Sequence, residues 1–165
     1  MARRILIVEP DPKTSQDLFV LFQSPPRLPV GRQERGTREQ YEPQVATCLA
    51  HALEKARTIR FHCVILDVNL PEMKGYEAVP LVRTINNNPP IIMVAAENSP
   101  ELEVRVRQQD VFYYHLTSFD QNELRLAVEN IFEKLPALED AAAPSRAAAR
   151  PIQLMPLQSF RAEHK

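Results

Sequence analysis

Short, unbroken apolar runs separated by amphipathic stretches set the pattern of this chain. Residues 4–9 (RILIVE), 61–67 (FHCVILD) and 89–96 (PPIIMVAA) have strand length, and the first two end in an acid. A run without polar interruption predicts a strand covered on both faces, and an acid at its end predicts that the end reaches solvent. The stretches around Gln44–Cys48 and at 111–116 (VFYYHL) fit the same scheme. Between them apolar residues recur at helical spacing: Leu18, Phe19, Leu21 and Phe22, then Leu49, Ala52, Leu53 and Ala56, and finally Leu124, Val128, Ile131, Phe132 and Leu135. Helix starts are marked by Asp11 before Pro12, by Ser99 before Pro100, and by Asp120 with Glu123 at capping-box spacing. A helix from Tyr76 to about Asn86 contains Pro80, which deletes a backbone hydrogen bond, so an irregular start is expected there. Residues 102–107 (LEVRVR) alternate with period two, which by itself favours a strand. They are read as helix because a crossover between parallel strands needs one.

Five strands alternating with five helices predict an α/β fold: a doubly wound, five-stranded parallel sheet in the flavodoxin-like order 2-1-3-4-5, with helices on both faces. Leu6, Val8, Val64, Leu66, Ile92 and Val94 are the expected interior. Residues 1–135 make one domain. The Pro- and Arg-rich segment 23–40 reads as a surface insertion, and 136–165, rich in alanine and proline, as a disordered tail.

Composition narrows the function. The 165 residues include only three glycines, Gly31, Gly36 and Gly75, from which neither GxGxxG nor GxxxxGK[ST] can be assembled. Residues 61–140 carry six basic and thirteen acidic side chains, which argues against a nucleic-acid surface. The N-terminal run ILIV is too short for a signal peptide and no run approaches a membrane span, so a cytoplasmic protein is expected. Cys48 and Cys63 are not in CxxC spacing and read as buried thiols in a reducing compartment. His51 and His62 do not complete a metal set with them, because adjacent His62 and Cys63 point to opposite faces of a strand. No serine sits in a G-x-S-x-G elbow, and no enzymatic activity is expected.

Candidate chemistry gathers where open parallel sheets place it, at the C-terminal strand ends. Glu9 and Asp11 follow the first strand, Asp67 ends the third, and Asn69 lies two residues on, in a loop that runs to Gly75. ILIVEPD, ILDVNLPEMKGYE and YYHLTSFDQNEL together make the sequence resemble, over roughly residues 3–135, the receiver domain of bacterial two-component response regulators. The resemblance implies a phosphoryl group accepted on Asp67 from a histidine kinase, and Mg²⁺ held by Glu9, Asp67 and the backbone carbonyl of Asn69. Positive charge is needed there, because an anionic carboxylate must attack an anionic phosphoryl group.

Three departures from the family pattern change that expectation. Pro10 stands where the direct metal ligand belongs, Ala95 where a hydroxyl would bind the phosphoryl oxygen, and Thr117 where a lysine would pair with its charge. The aromatic switch position is kept as Tyr114. The sequence therefore predicts an atypical receiver, acting by protein–protein contact without phosphorylation and binding Mg²⁺ weakly or not at all. A phosphoacceptor modified at Asp67, and a small-molecule-binding flavodoxin-like domain, are the alternatives. The expected interaction face is the fourth helix, fifth strand and fifth helix, with Arg105, Arg107, Phe112 and Tyr113 contributing charge and aromatic surface for a signalling partner, a histidine kinase or a second copy.

Overall fold

The computed structural model describes residues 2–23, 40–85, 88–118 and 120–142, with side chains through Lys134. The elements in chain order are β1 (Arg3–Val8), α1 (Pro12–Gln23), β2 (Tyr41–Ala46), α2 (Leu49–Thr58), β3 (Cys63–Asp67), α3 (Gly75–Arg83), β4 (Ile91–Ala95), α4 (Pro100–Arg107), β5 (Tyr113–Leu116) and α5 (Gln121–Ala142). All strand pairs are parallel, and the sheet order is β2-β1-β3-β4-β5. The doubly wound sheet expected from the alternation of runs is the fold observed.

Burial follows the strand period. Leu6, Val8, Val64, Leu66, Met93 and Ala95 enter one layer with Ala52 and Ala56 of α2, Ala78, Val79 and Val82 of α3, and Val106 of α4. The alternate residues Ile5, Ile7, Ile65, Ile92 and Val94 are equally inaccessible and point the other way. That second layer takes Leu18 and Phe22 of α1 and Leu124, Val128, Ile131 and Phe132 of α5, all buried. Tyr41 joins the two helices by ring contacts with Phe22 at 6.5 Å and Phe132 at 5.2 Å, and Arg125 of α5 donates to the Leu21 carbonyl at 2.6 Å. Complete burial of both strand faces is what allows uninterrupted apolar runs in β1, β3 and β4.

Several local expectations are corrected. β2 begins at Tyr41 rather than near Gln44 and contains Pro43. The proline is tolerated because β2 is an edge strand, paired with β1 alone, and does not need every donor. Cys48 is consequently outside the strand, just before α2, and only half-buried; Cys63 is fully buried, and desolvation pushes its thiol above the ordinary range. α4 is helical despite its period-two alternation: the Ser99 Oγ accepts from Leu102 N at 3.1 Å, Pro100 opens the helix, and Val106 alone is buried. α3 starts at Gly75 and keeps Pro80 in its interior, on the exposed side. α5 passes Pro136, where the tail was expected to begin, and ends at Ala142; the run ALEDAA is composed largely of strong helix formers. The remainder of the tail and residues 24–39 of the insertion lie outside the described residues. By contacts the chain forms two units, Met1–Lys134 and Leu135–Lys165, and the first contains the whole sheet.

Candidate functional site

The C-terminal ends of β1 and β3 bring Glu9 and Asp67 together. Each is nearly inaccessible, at 3% and 8% exposure. Glu9 is fixed by its backbone, whose N–H donates to the Ala46 carbonyl at 3.0 Å, and by its Oε1, which accepts from Asp11 N at 3.0 Å. Asp67 Oδ1 accepts from Asn69 N at 2.6 Å. Glu9 Oε2 is buried with no hydrogen-bond partner, so this atom requires either a proton or a cation. Burial, with Asp67 beside it, pushes the Glu9 carboxyl up to about 8. Burial also raises the Asp67 carboxyl, opposed chiefly by the Asn69 N–H.

A divalent ion is served less well. Pro10 offers no side-chain oxygen at the position of the direct ligand. Asp11 cannot substitute, because its Oδ2 caps α1, accepting from Thr14 N at 2.8 Å and Thr14 Oγ1 at 2.7 Å, bonds that hold its carboxyl below the usual range. Among the described residues no three His, Cys, Asp or Glu side chains converge closely enough to hold a metal ion. Mg²⁺ keeps several waters in its octahedral shell and takes one or two carboxylates, so Glu9, Asp67 and the Asn69 carbonyl are the groups that would hold it here, one carboxylate short of the family pattern at Pro10.

The loop after Asp67 is tightly folded. Gly75 N donates to the Val68 carbonyl at 2.8 Å, Leu70 N to Met73 O at 3.2 Å, and Asn69 pairs with Lys74 in an antiparallel bridge. A β-carbon on Gly75 would lie 2.1 Å from the Asp67 carbonyl oxygen, so only glycine permits this approach. Lys74 Nζ then donates to Asn69 Oδ1 at 2.7 Å. The loop is anchored on its far side by Glu72, whose carboxylate accepts from Leu49 N and Ala50 N, both at 3.2 Å, and so caps α2 in place of Cys48.

At the ends of β4 and β5 the polar groups turn inward on themselves. Ala95 is fully buried. Its carbonyl accepts from Thr117 N at 2.9 Å and from Thr117 Oγ1 at 3.4 Å, so the threonine hydroxyl is directed to backbone. The Tyr114 hydroxyl donates to Asn98 Oδ1 at 2.9 Å in the β4–α4 loop, and Asn98 in turn reaches Glu103, which pairs with Arg107 one turn further along α4. Burial raises the Tyr114 phenol above its ordinary value.

The interaction-face residues separate. Arg105 is exposed on α4 beside Pro100, Glu101, Val104 and Gln108, which line a shallow open groove. Arg107 is taken up by Glu103, and Phe112 is exposed with the Lys134 ammonium 5.9 Å from its ring centre. Tyr113 instead stacks on His115 at 6.2 Å and is half-buried. Sequence reading did not single out Lys74, Asn98 or His115. A polar residue inside the run VFYYHL was a signal for His115, whereas nothing local marks Asn98.

Comparison with known proteins agrees with this architecture. A family model described as the response regulator receiver domain matches residues 33–129. The transcriptional regulatory protein ZraR of Klebsiella oxytoca is 26% identical over 120 residues, 73% of this chain and 25% of that protein. The regulatory protein AtoC of Escherichia coli (strain K12) is 30% identical over 70 residues, 42% of this chain and 15% of that protein. The chain thus spans a quarter or less of the length of these curated relatives. A CheY-like response regulator receiver domain protein from Methanospirillum hungatei JF-1 superposes with a TM-score of 0.64 at 23% identity, covering 86% of this chain and 99% of that one. The Vibrio cholerae chemotaxis protein CheY4 gives a TM-score of 0.63 at 26% identity, covering 79% and 99%.

Proposed function

The chain belongs to the response regulator receiver family, and from that premise we propose that it is a non-catalytic, cytoplasmic signalling module that engages its partner through α4, β5 and α5 without phosphorylation of Asp67. The observation that carries this reading is the Tyr114–Asn98 hydrogen bond. In a switching receiver the aromatic on β5 follows a hydroxyl at the end of β4, and here that hydroxyl is missing while the tyrosine already has a partner in the β4–α4 loop. With Thr117 directed to the Ala95 carbonyl and Pro10 in the metal position, a phosphoryl group on Asp67 would meet neither a side-chain donor nor an ammonium from the β4 and β5 ends. The α4–β5–α5 edge exposes Val104, Phe112 and Leu126 at 54%, 38% and 57%, apolar area of the kind that protein contacts cover, with Arg105 beside it.

Receiver domains interact with histidine kinases and other signalling proteins, and the partner here is of that kind or a second copy of the chain. The test compares wild type with Asp67→Asn and Arg105→Glu in pull-down of the partner and in sedimentation. Asp67→Asn leaves association unchanged, and Arg105→Glu weakens it. A second reading, a phosphoacceptor, is favoured by Asp67 itself, held at the strand end by the Asn69 N–H. A stable phosphoryl adduct on Asp67 after acetyl phosphate treatment, together with loss of association in Asp67→Asn, would replace the first reading with the second.

A further inference from the structure

Packing holds α4 less than it holds the other helices. Of Pro100–Arg107 only Val106 is buried, whereas each of the other helices buries three or more residues. The start of α4 is fastened locally, by the Ser99 cap and by Asn98, which accepts from the Tyr114 hydroxyl. Its end is fastened from another element. Arg83, in the last turn of α3, donates through Nη2 to the carbonyls of Gln109 at 2.5 Å and Asp110 at 2.9 Å. The last carbonyls of a helix and the turn beyond it lack intrahelical partners, and a guanidinium from outside supplies charge-assisted ones. The post from which Arg83 reaches is firm, since Val79 and Val82 of α3 are completely buried and Ile85 after it nearly so.

The turn that Arg83 grips is strained. Asp110 stands at φ 53°, in the left-handed region that a residue with a β-carbon enters only at a cost. Just beyond it the chain is committed to the sheet, where Phe112 N donates to the Ile91 carbonyl at 2.9 Å. A strained residue therefore joins a thinly packed helix to a fixed strand. The carbonyls of Gln109 and Asp110 belong to the two peptide planes that flank Asp110, and the angle between those planes is set by its φ and ψ. One guanidinium nitrogen bonded to both carbonyls fixes that angle.

We propose that Arg83 is the positioning residue of a clamp: bonded to both peptides around Asp110, it holds the α4–β5 turn in its left-handed form and so keeps α4 docked, and without it the turn relaxes and α4 detaches with Asp110 as its hinge. The position of α4 is then set by Arg83 and needs no signal from Asp67. The clamp stands independently of the partner reading; only its effect on association rests on α4 being part of the contact face.

The experiment is amide hydrogen exchange on the full chain in wild type, Arg83→Met, Asp110→Gly and the double variant, with sedimentation for self-association alongside. Methionine keeps the stem and removes the donors, and glycine accepts a positive φ without the cost of a β-carbon. In Arg83→Met the amides of residues 104–108 exchange about tenfold faster, while those of β1, β3 and β4 keep their wild-type rates. Asp110→Gly slows the same α4 amides about threefold and offsets part of the acceleration, so that the double variant lies within about threefold of wild type. The proposal is overturned if α4 exchange is unchanged in Arg83→Met. It is overturned equally if the strands accelerate as much as α4, because the contact would then hold the domain as a whole. It also fails if glycine leaves the acceleration undiminished, since strain at Asp110 would not be what the clamp opposes. Exchange as expected with unchanged sedimentation supports the clamp and counts only against α4 as a face for self-association.

Discussion

The two halves of the sheet's C-terminal edge have diverged in opposite directions. At β1 and β3, polar groups remain and are tied into one another: Glu9 beside Asp67, Asp67 to Asn69, Asn69 to Lys74, with Gly75 pressed against the Asp67 carbonyl. At β4 and β5 the side chains that would answer a change at Asp67 are an alanine, a threonine bonded to backbone, and a tyrosine bonded to the β4–α4 loop. Beneath them lies His115, 2% exposed, with neither ring nitrogen hydrogen-bonded. The contrast teaches that retention of the acidic residues has a structural reason of its own. Asp67 and Asn69 organise a loop that also caps α2 through Glu72, so they are needed whether or not a phosphoryl group ever arrives.

The strongest way to break the comparison is Gly75→Ala. The added carbon would sit 2.1 Å from backbone, which cannot move without displacing Asp67, so a loss of about 3 kcal/mol is expected in denaturant unfolding. A loss below about 1 kcal/mol would show that the loop is looser than its hydrogen bonds imply.

His115 sharpens the other half through pH. Burial holds its imidazole below the ordinary value, against the pull of Glu123 and Asp120 from the start of α5, and the ring of Tyr113 stacks on it. As pH falls through about 6.5, the unfolded chain takes up a proton that the folded chain refuses, so this group's contribution to stability is present above that pH and declines as pH falls towards the folded value. His115→Leu fills the same apolar layer without an unpartnered polar ring. The variant is expected to be more stable at pH 5 by about 1–2 kcal/mol, with a smaller gain at pH 8. Equal gains at both pH values would show that the imidazole is not held neutral.

The smallest expected effect is that of Tyr114→Phe. Removing one partly exposed hydroxyl costs about 0.5–1 kcal/mol and speeds amide exchange in residues 96–99, while partner association is retained through the remaining surface. Unchanged exchange would mean that the Asn98 contact does not hold the loop.

Sequence alone determined the sheet and its interior, because an unbroken apolar run such as ILIV or CVILD has only one economical place, between two helical layers. It also marked Asp67, Asn69 and Gly75, since strand-end acids and a loop glycine are local signals. The edge position that admits Pro43, the start of β2 and the exclusion of Cys48 from it depended on which strand lies outermost, a property of the whole sheet. Tertiary structure alone brought Tyr114 to Asn98 across 16 positions and Glu72 to the start of α2 across 22 or 23. Periodicity reports which face a residue occupies, whereas a hydrogen bond requires the return of the chain to a particular point, and the parallel crossovers fix that point only once the sheet is complete.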